Sequence, residues 1–364
     1  MTDRILVIGG QGRIGSQIVQ DLWGHVDAEI VATGRHKTKQ PENPRSQFLA
    51  LDLDDREGLH HAIKNSNLVI HCAGPFHHRD GRVLKACIEQ GVNYLDVSDH
   101  RSFYNKVIAY HEEAAAAGVT AILNTGVFPG ISNSMVRQGI EQLDEAEKIH
   151  LSYLVAGSGG AGLTVMRTTF LGLQNSFDAW IDGQWQKILP YSDRETVEFP
   201  PPFGKAGVYW FDIAETHTLA ESFPVQSVIT KFGSIPDFYN HLTWMTARLF
   251  PHSWLQDPKK IEFLSRVSLQ MTSFTDRFSG IGIAIRAEIL GKKDGQRTRH
   301  CSTMVHENTA AATGFGTGSV AELILAGKLH KPGVWAIEKA LPTELFIQAM
   351  DSRGIKIHQQ KLPT

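Results

Sequence analysis

The stretch Arg4-Ile5-Leu6-Val7-Ile8-Gly9-Gly10-Gln11-Gly12-Arg13-Ile14-Gly15 decides the fold of this chain. A short apolar run that ends on glycines reads as a buried parallel strand. From Gly12 onward Ile14, Ile18 and Leu22 recur at four-residue spacing, with Val19 and Trp23 beside them and Gly24 behind, which predicts an amphipathic helix. Between strand and helix lies Gly10-x-Gly12-x-x-Gly15. Its glycines suit, in order, a tight turn, close approach of a pyrophosphate to the backbone, and tight packing of helix on sheet. The N–H groups and positive dipole at the helix start then favour phosphate. Placement carries the argument, since a glycine-rich turn outside this context would bind nothing.

Outward from that unit the alternation repeats. Residues 30–33 and 48–51 predict strands, 55–64 a helix, 68–71 a strand, 82–89 a helix, 94–97 a strand, 102–117 a helix and 121–124 a strand. Strands alternating with helices imply right-handed crossovers, hence an α/β, doubly wound parallel sheet of Rossmann type over residues 1–130. Past residue 130 the rhythm changes. Asp182-Gly183 and Asp294-Gly295 lie between strand-like runs and predict hairpins. A second α/β domain with a largely antiparallel mixed sheet is therefore expected over 131–306, interrupted by Pro200-Pro201-Pro202 and a helical stretch around 237–268. Residues 320–326 read as helix, and the segment 307–364 could return the chain to the first domain.

A length of 364 residues suits two domains, and 42% hydrophobic with 20% charged residues is an ordinary globular balance. With 36 basic against 38 acidic residues, net charge offers no argument for a nucleic-acid partner. Met1–Gly10 lacks the basic start and long apolar run of a signal peptide, and no apolar stretch approaches the ~18 residues of a membrane span. A cytoplasmic protein is expected. Cys72, Cys87 and Cys301 are scattered and form no CxxC pair, so neither a disulfide framework nor a zinc site is suggested.

The end of the second strand selects the dinucleotide. NAD sites usually carry an acidic residue there, whereas this chain reads Thr33-Gly34-Arg35-His36-Lys37-Thr38-Lys39. Without a carboxylate nothing repels a 2′-phosphate. Arg35 offers that dianion a planar fork, and Lys37 or Lys39 a point charge, which favours NADP(H). Asp52, at the end of the third strand, would border the adenine or cap the next helix with Asp54 or Asp55. The fourth strand ends in Cys72-Ala73-Gly74-Pro75-Phe76, small residues and a rigid turn over which the cofactor ribose can pass, with Cys72 a spacer rather than a nucleophile.

Five separated segments together resemble the saccharopine dehydrogenase family of NADP-binding oxidoreductases. They are the glycine loop, Cys72–Phe76, Gly91–Asp96, Gly126-Val127-Phe128-Pro129-Gly130, and the tail made of Gly327–Gly333 with Arg353–Ile357. The resemblance implies a Rossmann domain followed by an α/β substrate domain, a frequent homodimer, and chemistry at the carbon–nitrogen bond of amino-acid or polyamine adducts. It also implies cofactor roles for Gly10, Gln11, Gly12, Arg13, Ile14, Arg35 and Ala73–Phe76. Cations to hold several substrate carboxylates are few: Arg101, Arg137 and Arg167 are the candidates, and Ala156–Gly162 carries none.

Hydride transfer at the carboxyl edge of the sheet needs an acid or base when protonation changes. The fifth strand delivers Ser98-Asp99-His100 to that edge. Asp99 is the first candidate, or else the cap of the helix near Ser102; His100 is the second, or else a solvated loop histidine. His71, Cys72, His77 and His78 lack a second ligand cluster with zinc spacing, so no metal is expected. Phe238–Phe250 with Trp254 and Leu255 is rich in large apolar residues, read as core or a dimer face, or else as a hydrophobic pocket or membrane contact. Three functions follow: an oxidoreductase at C–N or C=N bonds of a small-molecule substrate, a reductase of C=C or C=O in a hydrophobic metabolite, or a non-catalytic NADP(H) sensor.

Overall fold

In the computed structural model, which describes residues 2–36, 45–160 and 162–363, the first part of the chain alternates strand and helix. Strand β1 (Asp3–Ile8) leads through α1 (Arg13–His25), β2 (Ala28–Gly34), β3 (Ser46–Ala50), α2 (Arg56–Lys64) and β4 (Leu68–His71) to α3 (Arg82–Gln90). Strand β5 (Asn93–Asp96), α4 (Arg101–Val107), α5 (His111–Ala116) and β6 (Thr120–Leu123) follow. Helix α1 buries Ile18 and Leu22 completely, contributing about 1.5–3 kcal/mol apiece. The single helix expected over 102–117 is broken by a 3-10 turn at Ile108–Tyr110. Adjacent β-branched Val107 and Ile108 weaken the run, and the Tyr110 ring lies 2.7 Å from where a Cβ on Gly81 would stand.

The middle of the chain contains α6 (Ile131–Ile140), β7 (Glu145–Ala156), α7 (Leu163–Leu171), β8 (Phe177–Ile181), β9 (Gln184–Ile188), β10 (Glu195–Phe199) and β11 (Gly204–Trp210). After α8 (Glu215–Ser222) and β12 (Ser227–Ile235) come α9 (Phe238–Leu249), α10 (His252–Gln256), α11 (Pro258–Ser279), β13 (Gly282–Lys293) and β14 (Gln296–His306). Both Asp-Gly signals form two-residue hairpins: Asp182 and Gly183 sit at φ 51° and 75°, Asp294 and Gly295 at 50° and 74°, the left-handed pair a type I′ turn requires. The helical stretch extends past the expected end at 268 as far as Ser279, where Gly280 at φ 70° stops it.

The last elements are α12 (Thr309–Leu325), β15 (Gly333–Ala336), α13 (Ile337–Ala340), α14 (Thr343–Ser352) and β16 (Ile357–Leu362). Helix α12 starts well before the expected residue 320 because Gly314, Gly316 and Gly318 disguise it as loop. Gly314 and Gly318 serve close packing on α1, where a Cβ at Gly314 would meet the Gln17 carbonyl at 2.8 Å and one at Gly318 would strike the Asp21 carboxylate, and Gly316 packs on the Thr125 and Gly126 carbonyls.

Two compact units result, Met1–Ile131 with Ala310–Arg353, and Ser132–Thr309 with Gly354–Thr364. The C-terminal segment is thus shared, its helices joining the first unit and β16 the second. In the first unit seven parallel strands run β15-β6-β5-β4-β1-β2-β3. Strand order reverses at β1, which pairs with both β2 and β4, the switch point where a doubly wound sheet opens toward a ligand. The second unit holds a seven-stranded sheet, β10-β11-β12-β7-β13-β14-β16, and the β8–β9 hairpin. Only β12 and β7 run parallel in it.

Candidate functional site

At the carboxyl end of β1 the chain turns at Gly9, φ 79°, one residue ahead of the motif glycine expected to make the turn. Gly10 and Gly12 close the loop with amide bonds to the Val7 and Gly9 carbonyls, 3.0 and 2.9 Å. Gly15 lies so near the Gly9 carbonyl oxygen that any Cβ would collide with it, which holds α1 against the strand. Gly12 is the N-cap of α1, no side chain among the described residues caps it, and the first turn holds no acidic residue. The opening N–H groups of the helix are therefore left for an external anion, with Gln11, Arg13 and Ile14 around them. That uncapped, uncontested helix start fits a dinucleotide pyrophosphate.

Thr33, at the end of β2, braces this loop. Its hydroxyl accepts from the Gly9 amide at 3.2 Å and its carbonyl from the Gln11 amide at 3.4 Å. Gly34 and the exposed Arg35 follow directly, so a guanidinium stands where an NAD site carries its carboxylate. Lys37 and Lys39 lie outside the described residues. Asp52 is exposed and accepts from the Asp54 amide at 3.1 Å, while the cap of α2 is Asp55, which accepts from Gly58 at 3.0 Å. On the other side of β1, Cys72–Phe76 leaves β4 so close to Gly9 that a Cβ there would lie 3.1 Å from Ala73 backbone. Arg79 donates to the Ala73 and Gly74 carbonyls at 2.7 and 3.4 Å and pins this turn. Burial pushes the Cys72 thiol well up, so it does not ionise near neutral pH.

A polar cluster organises the ends of β4, β5 and β6. Asp96, fully buried, accepts through Oδ1 from the Ser98 amide (3.0 Å), the Ser98 hydroxyl (2.6 Å) and the Asn124 amide (3.0 Å). Its Oδ2 accepts from the Tyr94 hydroxyl at 3.1 Å. Burial raises its carboxyl pKa, and those bonds oppose the rise. Because Tyr94 spends its proton on Asp96, the His71 Nδ1–H donates to Tyr94 at 3.2 Å, and burial lowers His71 to about 3, keeping it neutral. Asn124, at φ 61°, donates through Nδ2 to the Ser98 carbonyl and hydroxyl at 2.7 and 3.0 Å. Asp96 and Asn124 thus hold the loop that carries Asp99 and His100. Neither was singled out in the sequence; the spacing Asp96-Val97-Ser98, an Asx-turn pattern, was the available signal.

His100, not Asp99, caps α4. Its Nδ1 accepts from the Ser102 amide at 3.2 Å, so its proton sits on Nε2 and is donated to His77 Nδ1 at 3.1 Å. His77 in turn carries its proton on Nε2. Burial, with His77, Arg101, Lys106 and His78 nearby, lowers His100 to about 4; burial, His78 and Lys106 lower His77 as well. The pair is a neutral hydrogen-bond donor at pH 7. Asp99 is half-buried in the same loop.

Of the three candidate cations, Arg101 belongs to the first unit and Arg137 and Arg167 to the second. Arg137 donates to Glu141 at 2.7 Å, and Arg167 donates to Glu262 at 2.6 Å, drawing that carboxyl down to about 2 together with Arg266. Arg101 opens α4 beside His100. Among the described residues no group of three or more His, Cys, Asp or Glu side chains is arranged to hold a metal. No described helix is long and apolar enough to cross a membrane. Within 238–255, Tyr239 and Leu255 are buried whereas Phe238, Met245, Leu249 and Trp254 point outward. The segment is a core on one side and an exposed apolar face on the other.

A Rossmann unit with an anion-ready helix start and an arginine directly after β2 fits an NADP-binding domain. Residues 5–122 match the family model described as "Saccharopine dehydrogenase NADP binding domain". Carboxynorspermidine synthase of Vibrio cholerae is 25% identical over 338 residues, covering 84% of this chain and 80% of that protein. Carboxyaminopropylagmatine dehydrogenase of Synechocystis sp. is 24% identical over 97% of both chains. The solved structure of apo saccharopine dehydrogenase (L-Glu forming) from Saccharomyces cerevisiae shares the fold, with a TM-score of 0.72 at 14% identity over 99% of this chain and 100% of that one. The chain is thus similar to saccharopine dehydrogenase-like oxidoreductases, in its NADP-binding domain by the family model and over most of its length by these relatives.

Proposed function

We propose that the chain moves hydride between NADP(H) and the C–N bond of an amine that carries a carboxylate, oxidising it to the imine or reducing the imine back. Similarity over four fifths or more of the chain to two relatives, both named for carboxylated amines, carries this reading. Bound NADP(H) supplies or accepts the hydride. Gly10 to Gly15 hold the pyrophosphate, Arg35 the 2′-phosphate, and Cys72–Phe76 the adjoining ribose, with Asp52 toward the adenine. The second unit, with the rest of residues 131–306, supplies the substrate side.

Oxidation removes a proton from the amine nitrogen as the neighbouring carbon loses hydride, and reduction of the neutral imine returns it. Asp99 takes or gives that proton through its carboxylate. The His77–His100 pair has no free lone pair for this work, since Nδ1 of each ring accepts and Nε2 of each is protonated; it orients a substrate acceptor through His77 Nε2–H. The protein works in the cytoplasm as a homodimer.

The assay is NADP+ reduction by the purified chain with carboxynorspermidine, carboxyaminopropylagmatine and saccharopine, beside a panel of apolar enones and ketones with NADPH. Turnover of a carboxylated amine is expected. In Asp99→Asn it falls about 100-fold or more while NADPH affinity stays near that of the native protein. Reduction of the apolar carbonyls alone would replace the reading with the hydrophobic-metabolite reductase, and NADPH binding without any turnover would replace it with a sensor.

A further inference from the structure

Helix α11 spans 22 residues, and its outward side repeats an unusual order. Phe263, Phe274 and Phe278 are 62%, 68% and 81% exposed. Val267 and Met271 stand half-buried along the same stripe, and Gln270 is exposed between them. At 100° per residue these six positions fall within one face of the helix. Spacings of four, then three or four, are those of a helix–helix seam.

The stripe is also self-complementary. Positions 263, 267 and 270 mirror 278, 274 and 271 about a point between Gln270 and Met271. Two copies of α11 laid antiparallel about a two-fold axis at that point therefore set Phe263 of one against Phe278 of the other, and Val267 against Phe274. An isologous interface demands this symmetry. A polar pair of Gln270 side chains at the axis would fix register, as a buried polar residue does in coiled coils.

Helix α9 widens the face. Phe238, Met245 and Leu249, spaced seven and four residues apart, are 56%, 42% and 63% exposed. Tyr239 at the start of α9 is hydrogen-bonded to Thr275 near the end of α11, 2.7 Å, which brings the start of α9, where Phe238 is exposed, to that end of α11. At roughly 150–250 Å² per aromatic side chain, the exposed Phe238, Phe263, Phe274 and Phe278 show roughly 500 Å². That lies at the upper end of the ~300–600 Å² largest patch of a typical monomer, toward the ~800 Å² per partner of a standard interface.

We propose that this face is the seam of a two-fold homodimer, with α11 pairing antiparallel with α11 of a second copy and α9 flanking it. The proposal rests on the homodimer reading above and supplies its surface. The rim carries both signs of charge, Lys259, Arg266 and Arg277 against Asp237, Asp257 and Glu262. Mixed charge suits a protein partner, whereas an anionic bilayer selects a basic excess.

Light scattering on the eluted full chain at micromolar concentration should report a dimer. Phe274→Glu with Phe278→Glu, both on exposed positions, should weaken association about 100-fold or more while near-UV circular dichroism stays native. Gln270→Cys or Met271→Cys, next to the axis, should form an interchain disulfide; Lys259→Cys, about 17 Å along the helix, should not. A monomeric native protein overturns both the homodimer and its surface. A dimer that survives the double substitution, or that cross-links at neither 270 nor 271, overturns the surface alone. Monomeric native protein that sediments with phosphatidylserine vesicles through these phenylalanines gives the face to a membrane instead.

Discussion

At the scale of single residues, the proposed preference for a 2′-phosphate rests on Arg35. Its guanidinium follows β2 directly, on a stem that Thr33 anchors to the glycine loop. A charge-assisted contact of this kind contributes about 1.5–3 kcal/mol. Arg35→Ala should therefore weaken NADPH binding about tenfold to 100-fold and leave NADH nearly unchanged, as read by fluorescence titration. Equal losses for both nucleotides would remove the 2′-phosphate from the argument. The place of Arg35 was legible in the sequence because the position after the second strand is fixed by the fold. Asp96 and Asn124 were not, because their partners are backbone amides and a serine brought together by adjacent strands.

Among the elements, α4 shows how a helix start can occupy a titratable group. The Ser102 amide binds His100 Nδ1, and protonation of that atom would break the cap. Folded His100 holds its extra proton only near pH 4, against 6.5 for an ordinary histidine, and His71 only near 3. Between those values the unfolded chain binds protons that the folded chain refuses. Stability from these groups is thus complete above about pH 6.5 and declines as pH falls toward 4. In His100→Asn, a side chain that also caps, the fall in melting temperature between pH 7 and 5 should be smaller than in the native protein. An unchanged pH slope would show that His100 titrates normally. The strands and hairpins could be read in advance because apolar runs and Asp-Gly turns are local signals. Helix α12 could not, since its glycines mean helix only when α1 and the Thr125 and Gly126 carbonyls lie against them.

For the molecule as a whole, the return of the chain to its first unit, through β15 beside β6, is also held by the buried Arg353. Arg353 and Asp21 bond at 2.8 Å with both side chains completely buried, and Glu322 takes a second guanidinium nitrogen at 3.0 Å. Burial raises the Asp21 carboxyl and Arg353 opposes the rise. Arg353→Met strands that carboxylate and should cost about 3–5 kcal/mol in urea unfolding, much of which Asp21→Leu in the same chain should restore. A loss below about 1 kcal/mol, within the range of surface pairs, would show that the pair is solvated. By itself the sequence determined the Rossmann unit, NADP(H) as its cofactor and the mixed sheet beyond, because each is written in periodicity, turn residues or charge at a fixed position. Only the tertiary structure decided that the tail divides between the two units, that His100 is a cap bonded to His77, and that the aromatic segment is core on one side and exposed on the other. Those outcomes depend on which residues distant in the chain come to lie against one another, and no local pattern encodes that.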